Sequence, residues 1–189
     1  MPTPHTRGLA ARTALEHVDA FVPGRGAAVR ARIPEASLAV LDDCPNHGWV
    51  SVEHEHWIPQ SIYAELGADA TGYFRWLMSR RLAETTLMRP LLDQVRRMFG
   101  VDPGTFLRMG PHAFSLVFRD YGQLAMIDRG PQHATLELSH CHDAVFEYPA
   151  YAQSWLGAMT GVFDLALARG DGRLELDEPG ARVQFLLTW

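Results

Sequence analysis

The chain predicts an α+β fold in which a helical N-terminal half packs on a small antiparallel sheet, with β-β-α-β-β order in the C-terminal half. Three observations carry this reading. Up to Phe118 the apolar residues recur at three- and four-residue spacing, and after Tyr121-Gly122 the period drops to two. The alternating segments come in two pairs, each joined by turn residues. Between the pairs, Pro149 to Ala168 is apolar at helical spacing. A hydrophobic content of 47% and a charged content of 21% over 189 residues suit one globular domain, 1–189, with a filled core.

Leu15, Val18 and Phe21 sit at helical spacing, and Pro23-Gly24 ends that segment. Leu38, Val40 and Leu41 predict a second short helix before the turn Pro45 to Gly48. Trp49, Val50 and Val52 read as a brief extended stretch, and Ile58 to Leu66 as a short helix. From Asp69 to Phe99 two amphipathic helices are expected. Tyr73, Phe74 and Leu77 share one face, Leu87, Leu91, Val95 and Met98 another, and Pro90 stands near the second start. Asp102 is an N-cap and Pro103 a first-turn residue for a third helix through Phe106, Leu107, Phe114, Val117 and Phe118, broken at Gly110-Pro111.

In the C-terminal half, Leu124 and Met126 alternate in one strand, and Ala134, Leu136 and Leu138 in the next. Asp128 to Pro131 makes them a hairpin. The helix from Pro149 buries Trp155, Met159, Val162 and Phe163 and ends at Gly170-Asp171-Gly172. Leu174 and Leu176, then Val183, Phe185, Leu187 and Trp189, give the last two strands, with Pro179-Gly180 in the central positions of a type II turn.

Composition excludes several chemistries. All 17 basic residues are arginine, so Schiff-base catalysis, the lysine-bearing phosphate loop and a kinase-type ATP site lack their lysine. A net charge of -5 disfavours broad attraction to nucleic acid or an anionic membrane. No apolar run approaches the roughly 20 residues of a membrane span, and Met1 to Gly8 lacks a signal-peptide core, so the expected location is the cytoplasm. Cys44 and Cys141 are too few for a disulfide framework.

Four groups of residues are candidates for a site. His54-Glu55-His56 and His140-Cys141-His142 are both His-x-His arrangements, which on a strand turn two imidazoles to one face. Together His54, His56, His140 and His142 could hold zinc or iron, with Glu53, Asp143 or Glu147 in support. Exposed loop histidines are the simpler account. Cys141, flanked by imidazoles, could be an activated thiolate, although no nucleophile-elbow motif surrounds it. Arg75, Arg80, Arg81, Arg89, Arg96 and Arg97 could take an anion, or form a solvated face with partners such as Glu84 and Asp93. Tyr73, Trp76, Phe99, Phe106, Phe114 and Trp155 could line an apolar pocket or simply fill the core.

Several stretches add up to a resemblance. Trp49-Val50-Ser51-Val52, Tyr121-Gly122-Gln123-Leu124, Ala134-Thr135-Leu136-Glu137-Leu138, Trp155-Leu156-Gly157 and the ending Phe185-Leu186-Leu187-Thr188-Trp189 resemble a myxobacterial paralogous family of unknown function. That family is similar to the four-vinyl reductase and haem-NO-binding-like superfamily. The likeness spans Ala11 to Trp189 and implies helices on an antiparallel sheet, a homodimer or partner protein, and a pocket for a small apolar or aromatic molecule. Haem-binding relatives use a proximal histidine, for which His112 is the candidate, and a Tyr-x-Ser-x-Arg motif that this chain lacks. Metal-binding relatives use several cysteines near the sheet, where this chain has Cys141.

The leading expectation is a non-enzymatic domain that binds a small molecule or a protein in signalling, its pocket between helices and sheet. The sequence names no cofactor. A metal-dependent enzyme built on the histidines and a haem or tetrapyrrole site at His112 are the alternatives.

Overall fold

In the computed structural model, residues 2–86 and 88–189 are described, with the side chains of residues 95, 96, 98 and 99 left aside. The first part is a run of short helices, α1 (Gly8–Glu16), α2 (Val18–Phe21), α3 (Gly26–Ala31), α4 (Glu35–Asp43), α5 (Val52–Glu55) and α6 (Trp57–Leu66), with proline or glycine between α2, α3, α4 and α5 and single residues, His17 and His56, at the other two breaks. Helices this short have little stability of their own and depend on packing. They gain it from a shared core of Leu15, Val18, Val29, Leu41, Ile58 and Ile62, closed by Tyr73 and Leu77 of α7 (Asp69–Arg80). The buried Tyr73 hydroxyl donates to the Ala14 carbonyl. The C-terminal carbonyls of α4 are met by Arg12, which donates to Leu41 O at 3.2 Å and also to Cys44 O.

Three very short strands tie this region together. β1 (His5–Arg7) pairs antiparallel with β2 (Trp49–Ser51) on one side and β3 (Phe118–Arg119) on the other. Only β2 matches an expected extended stretch. Phe118, expected at the end of a helix, belongs to β3. Trp49 takes the guanidinium of its cross-strand partner Arg7 at 3.7 Å and that of Arg119 at 4.6 Å from its ring centre.

The middle of the chain holds a 3-10 turn (Leu82–Glu84), α8 (Arg89–Phe99), α9 (Pro103–Arg108) and α10 (Gly110–Val117). Asp102 caps α9 as expected, accepting from Thr105 N–H at 2.8 Å, and Gly110-Pro111 starts a new helix rather than continuing it. Of the residues expected on the face of α8, Leu87 and the side chains of Val95 and Met98 lie outside the described set.

The main sheet has the order β4-β5-β7-β6, from β4 (Gln123–Arg129), β5 (His133–Ser139), β6 (Asp171–Asp177) and β7 (Arg182–Thr188). β5 and β7 are central and pair Leu136 with Phe185 and Leu138 with Val183, all fully buried on one face. Trp189 falls just past β7 and packs near Phe163. The β6–β7 turn is not type II. Gly180 keeps a negative φ and Ala181 is left-handed at +48°, while Ala181 N–H donates to Glu178 O at 2.9 Å. That is a type I turn followed by a left-handed residue, which the four-residue loop accommodates. Asp177 stabilises it by accepting from Gly180 N–H at 3.1 Å.

α11 (Ala144–Glu147) and α12 (Ala150–Leu165) occupy the crossover expected as one helix from Pro149. α12 packs on the sheet and, on its other side, on α7. The close approach of α7 and α12 requires Gly157 and Gly161: an added Cβ would stand 2.6 Å from Thr71 O or 2.7 Å from Arg75 O. A bidentate Arg75–Asp164 pair, 2.7 and 3.0 Å, joins the same two helices.

Candidate functional site

Alongside the glycine seam, α7 and α12 carry large side chains, and a cavity of about 160 Å³ opens between them, α8 to α10 and the sheet. α7 contributes Phe74, Leu77 and Met78; α12 contributes Tyr151, Trp155, Met159 and Val162. Leu136 and Leu124 of the sheet, and Phe106, Phe114 and Val117 from α9 and α10, complete the apolar wall. Phe114 stands edge-on to Trp155 at 5.3 Å, and Phe118 and Tyr121 at 5.4 Å.

One end of this wall is polar. Glu55 lines the cavity although it is only 6% exposed. The Tyr151 hydroxyl donates to its Oε2, the Tyr121 hydroxyl lies 3.2 Å from that of Tyr151, and Thr6 Oγ1 lies 3.2 Å from Tyr121. Thr6, Tyr121, Tyr151 and Glu55 thus form a buried chain of hydroxyls ending on a carboxyl, drawn from β1, the β3–β4 link, α12 and α5. Burial outweighs the three hydroxyl contacts and pushes the Glu55 carboxyl up to about 7. Tyr121 and Tyr151 are raised well above the ordinary phenol range, first by burial and then by the neighbouring carboxylate charge.

The expected pocket residues divide. Phe106, Phe114 and Trp155 line the cavity. Tyr73 and Trp76 do not: both belong to the N-terminal core, where Phe21 packs against each ring at 5.5 and 5.6 Å. The Phe99 side chain lies outside the described residues. Glu55 was read in sequence only as the centre of a His-x-His stretch. Its spacing to Ile58, Pro59 and Ile62 puts it on the buried stripe running from α5 into α6, a signal that the histidines mask.

The histidines are not brought together. His54 and His56 lie at α5, a helix rather than the strand that would align them. His54 Nδ1 is 3.2 Å from Ser37 Oγ, and His56 is buried, stacked on Tyr148 at 4.2 Å with Nδ1 on Val52 O at 2.7 Å. His140 is exposed in the loop after β5 with a left-handed φ of +52°, and His142 Nδ1 accepts from Ala144 N–H at 3.1 Å. Among the described residues no group of three or more His, Cys, Asp or Glu side chains comes together to hold a metal ion. Cys141 is fully buried and its thiol donates to Leu138 O at 3.2 Å. Burial pushes that thiol up to about 11, the reverse of an activated thiolate. Of the arginines, Arg89 pairs with Asp93 at 3.8 Å as the solvated-face account expects, whereas Arg75 is part-buried in its bridge to Asp164 and Arg81 lies over the Trp76 ring.

No protein-family model and no curated protein sequence matches the chain. Solved structures do. An Fe(II) unliganded H-NOX mutant from K. algicida aligns at 12% identity with a TM-score of 0.59, over 96% of this chain and 95% of its own. An oxygen-binding H-NOX domain related to soluble guanylate cyclases aligns at 11% and 0.57, over 96% and 94%. An H-NOX mutant from T. tengcongensis aligns at 11% and 0.58, over 96% of both chains. The chain therefore has the α+β fold of H-NOX domains.

A haem in that fold needs an axial donor to its iron and partners for its charged edge. Among the described residues the cavity wall has no histidine, cysteine or arginine, and His112 is exposed on α10. The soft or phenolic donors present are the methionines, such as Met78 and Met159, and Tyr151, whose proton is committed to Glu55. With a volume of about 160 Å³, against roughly 300–1,000 Å³ for pockets holding drug-sized ligands, the cavity as built does not fit a haem.

Proposed function

We propose that this chain is a sensor-type domain that binds a small apolar molecule in the cavity between α7, α12 and the main sheet, without catalysing a reaction on it. The supporting observation is the cavity itself. It is walled by Phe106, Phe114, Trp155 and Met159, lies beside a tightly packed seam, and sits in an H-NOX-like fold. Pockets with mostly apolar walls and a few converging polar groups are where such folds take ligands. The reading includes a second copy or a partner protein to receive the signal, and the myxobacterial family resemblance belongs with it.

The test is thermal unfolding with saturating α-methylstyrene, a hydrocarbon of single-ring size. A ligand bound only by the folded state raises the midpoint in proportion to RT ln(1 + [L]/Kd). A rise that grows with the logarithm of concentration above Kd is expected, and no rise at the solubility limit sinks the reading.

Likeness to H-NOX structures supports haem binding as a second reading, and the donor set of the cavity opposes it. Incubation with haemin followed by gel filtration decides. Protein emerging without a Soret band is expected, whereas stoichiometric haem that withstands gel filtration would replace the first reading with the second.

A further inference from the structure

The small sheet β2-β1-β3 has two unlike faces. Thr6 and Val50 turn inward and are buried, and Thr6 lines the cavity. Residues paired across antiparallel strands share a side of the sheet, so the register gathers His5, Arg7, Trp49, Ser51 and Arg119 on the other face, where all five are half-buried or exposed. Arg7 and Arg119 both stack on the Trp49 ring, at 3.7 and 4.6 Å from its centre, which holds two guanidiniums close together. Elsewhere in the chain arginines sit on carboxylates: Arg25, Arg129 and Arg182 reach Glu65, Asp102 and Asp177 at 2.6, 3.4 and 2.5 Å. Arg7 instead donates from Nε to Leu116 O at 3.2 Å and from Nη1 to His47 O at 2.8 Å, which fixes the group without neutralising it. Among the described residues Arg119 has only the Asp120 carboxylate within reach, at 4.0 Å, too far for a hydrogen bond.

On a chain of net charge -5, such a face is a local exception, and holding two like charges over one ring has a cost that an incoming anion offsets. Other occupants suit it less. A long nucleic acid meets repulsion from the acidic remainder, and the one aromatic ring of the face is engaged by guanidiniums rather than offered to a base. A second copy in a two-fold contact sets this cationic cluster against itself. We propose that this face docks an acidic segment of a partner protein, whose carboxylates accept from Arg7 and Arg119. Its place suits a receiver of signals, because Arg7 on the outer face and Thr6 on the cavity wall are neighbours in one strand. The proposal gives the partner in the sensor reading its chemistry. It rests on that reading for its role but not for binding, which is measured without any cavity ligand.

Fluorescein-labelled hexaglutamate peptide, with hexaglutamine carrying the same label as control, is titrated by fluorescence anisotropy in about 0.1 M salt, where charges beyond roughly 10 Å are screened. The wild-type chain is expected to prefer the glutamate peptide, and Arg119→Glu to weaken its binding roughly three- to tenfold. The Arg119 side chain is 46% exposed, so the reversal spares the fold, and Arg119→Gln repeats the test with a smaller loss and no new charge. Arg173→Glu on β6 changes the net charge equally and should stay within about twofold of the wild type. Equal losses at Arg119 and Arg173 would mean that net charge alone acts and would overturn the proposal, as would no preference for glutamate over glutamine. Tighter binding of labelled hexathymidylate would give the face to nucleic acid. Self-association abolished by Arg119→Glu, read by sedimentation velocity, would give it to a second copy, and either result overturns the acidic segment. Peptide binding that persists while α-methylstyrene fails to bind would remove only the sensor reading.

Discussion

The glycine seam and the cavity lie along the same pair of helices and are built by opposite rules. At Gly157 and Gly161 the backbones of α7 and α12 approach until no Cβ fits, and Arg75–Asp164 ties them. Toward Glu55, the large side chains Phe74, Tyr151 and Trp155 meet without filling the space between them. A cavity beside so close a seam is not a symptom of loose packing. Interiors leave few voids, so one beside backbones this close stands out.

The largest effect should come from breaking the seam. Gly157→Val places a branched side chain where Thr71 O stands 2.6 Å from the first new carbon, and backbone cannot yield as a side-chain tip can. A loss of about 3 kcal/mol is expected, read as a lower urea midpoint at unchanged slope. A loss under about 1 kcal/mol would mean that the helices slide apart readily and that the contrast is false.

The cavity end should respond to pH where the seam does not. Glu55 holds its proton in the folded chain up to about pH 7, against 4.5 for the free group. The folded state thus binds the proton more tightly than the unfolded state. Its contribution is full below about pH 4.5 and declines as pH rises to about 7, by about 3 kcal/mol in all. Unfolding free energies from pH 4.5 to 8 should trace this decline, and Glu55→Gln should flatten it. A slope that survives Glu55→Gln would place the titration elsewhere.

Filling the gap sharpens the comparison from the other side. Ala158 lines the cavity on α12, and Ala158→Leu should raise stability by about 1 kcal/mol while lowering α-methylstyrene affinity at least roughly tenfold. Stability gained without loss of binding would show that the probe sits elsewhere. The smallest effect is expected at Asp164→Asn. Both partners of that ion pair are about one-third exposed, so solvent screening holds its worth to about 1 kcal/mol or less, and added salt should shrink the difference further.

The same contrast explains what the sequence disclosed. The two C-terminal hairpins were legible because period-two alternation in β5 and β7 coincides with a buried face, as Leu136 and Phe185 show. β1 and β3, at three and two residues, are too short to show any period, and only pairing with β2 makes them strands. Among the pocket candidates, Phe106, Phe114 and Trp155 were legible as apolar residues of the C-terminal core. Tyr73 and Trp76 share their spacing, and periodicity cannot say whether a buried face meets a core or a cavity. The loop account preferred for the His-x-His stretches holds for His140, exposed after β5, but not for His54 and His56, which lie at the helix α5 with His56 buried. The seam was spelled out as Gly157-x-x-x-Gly161, though neither glycine was read as a contact.

The seam also bears on traffic. A molecule entering or leaving the cavity passes between its wall elements, and the part that yields most easily sets both arrival and departure rates. The α7–α12 wall is held by backbone contact at Gly157 and Gly161 and by the Arg75–Asp164 clamp, so it opens last. The opposite side is assembled from the short helices α9 and α10 and the turn at Leu82–Glu84. If a ligand binds as proposed, that side should govern its residence time, and substitutions at Phe106 or Phe114 should change how long it stays more than those at Met78.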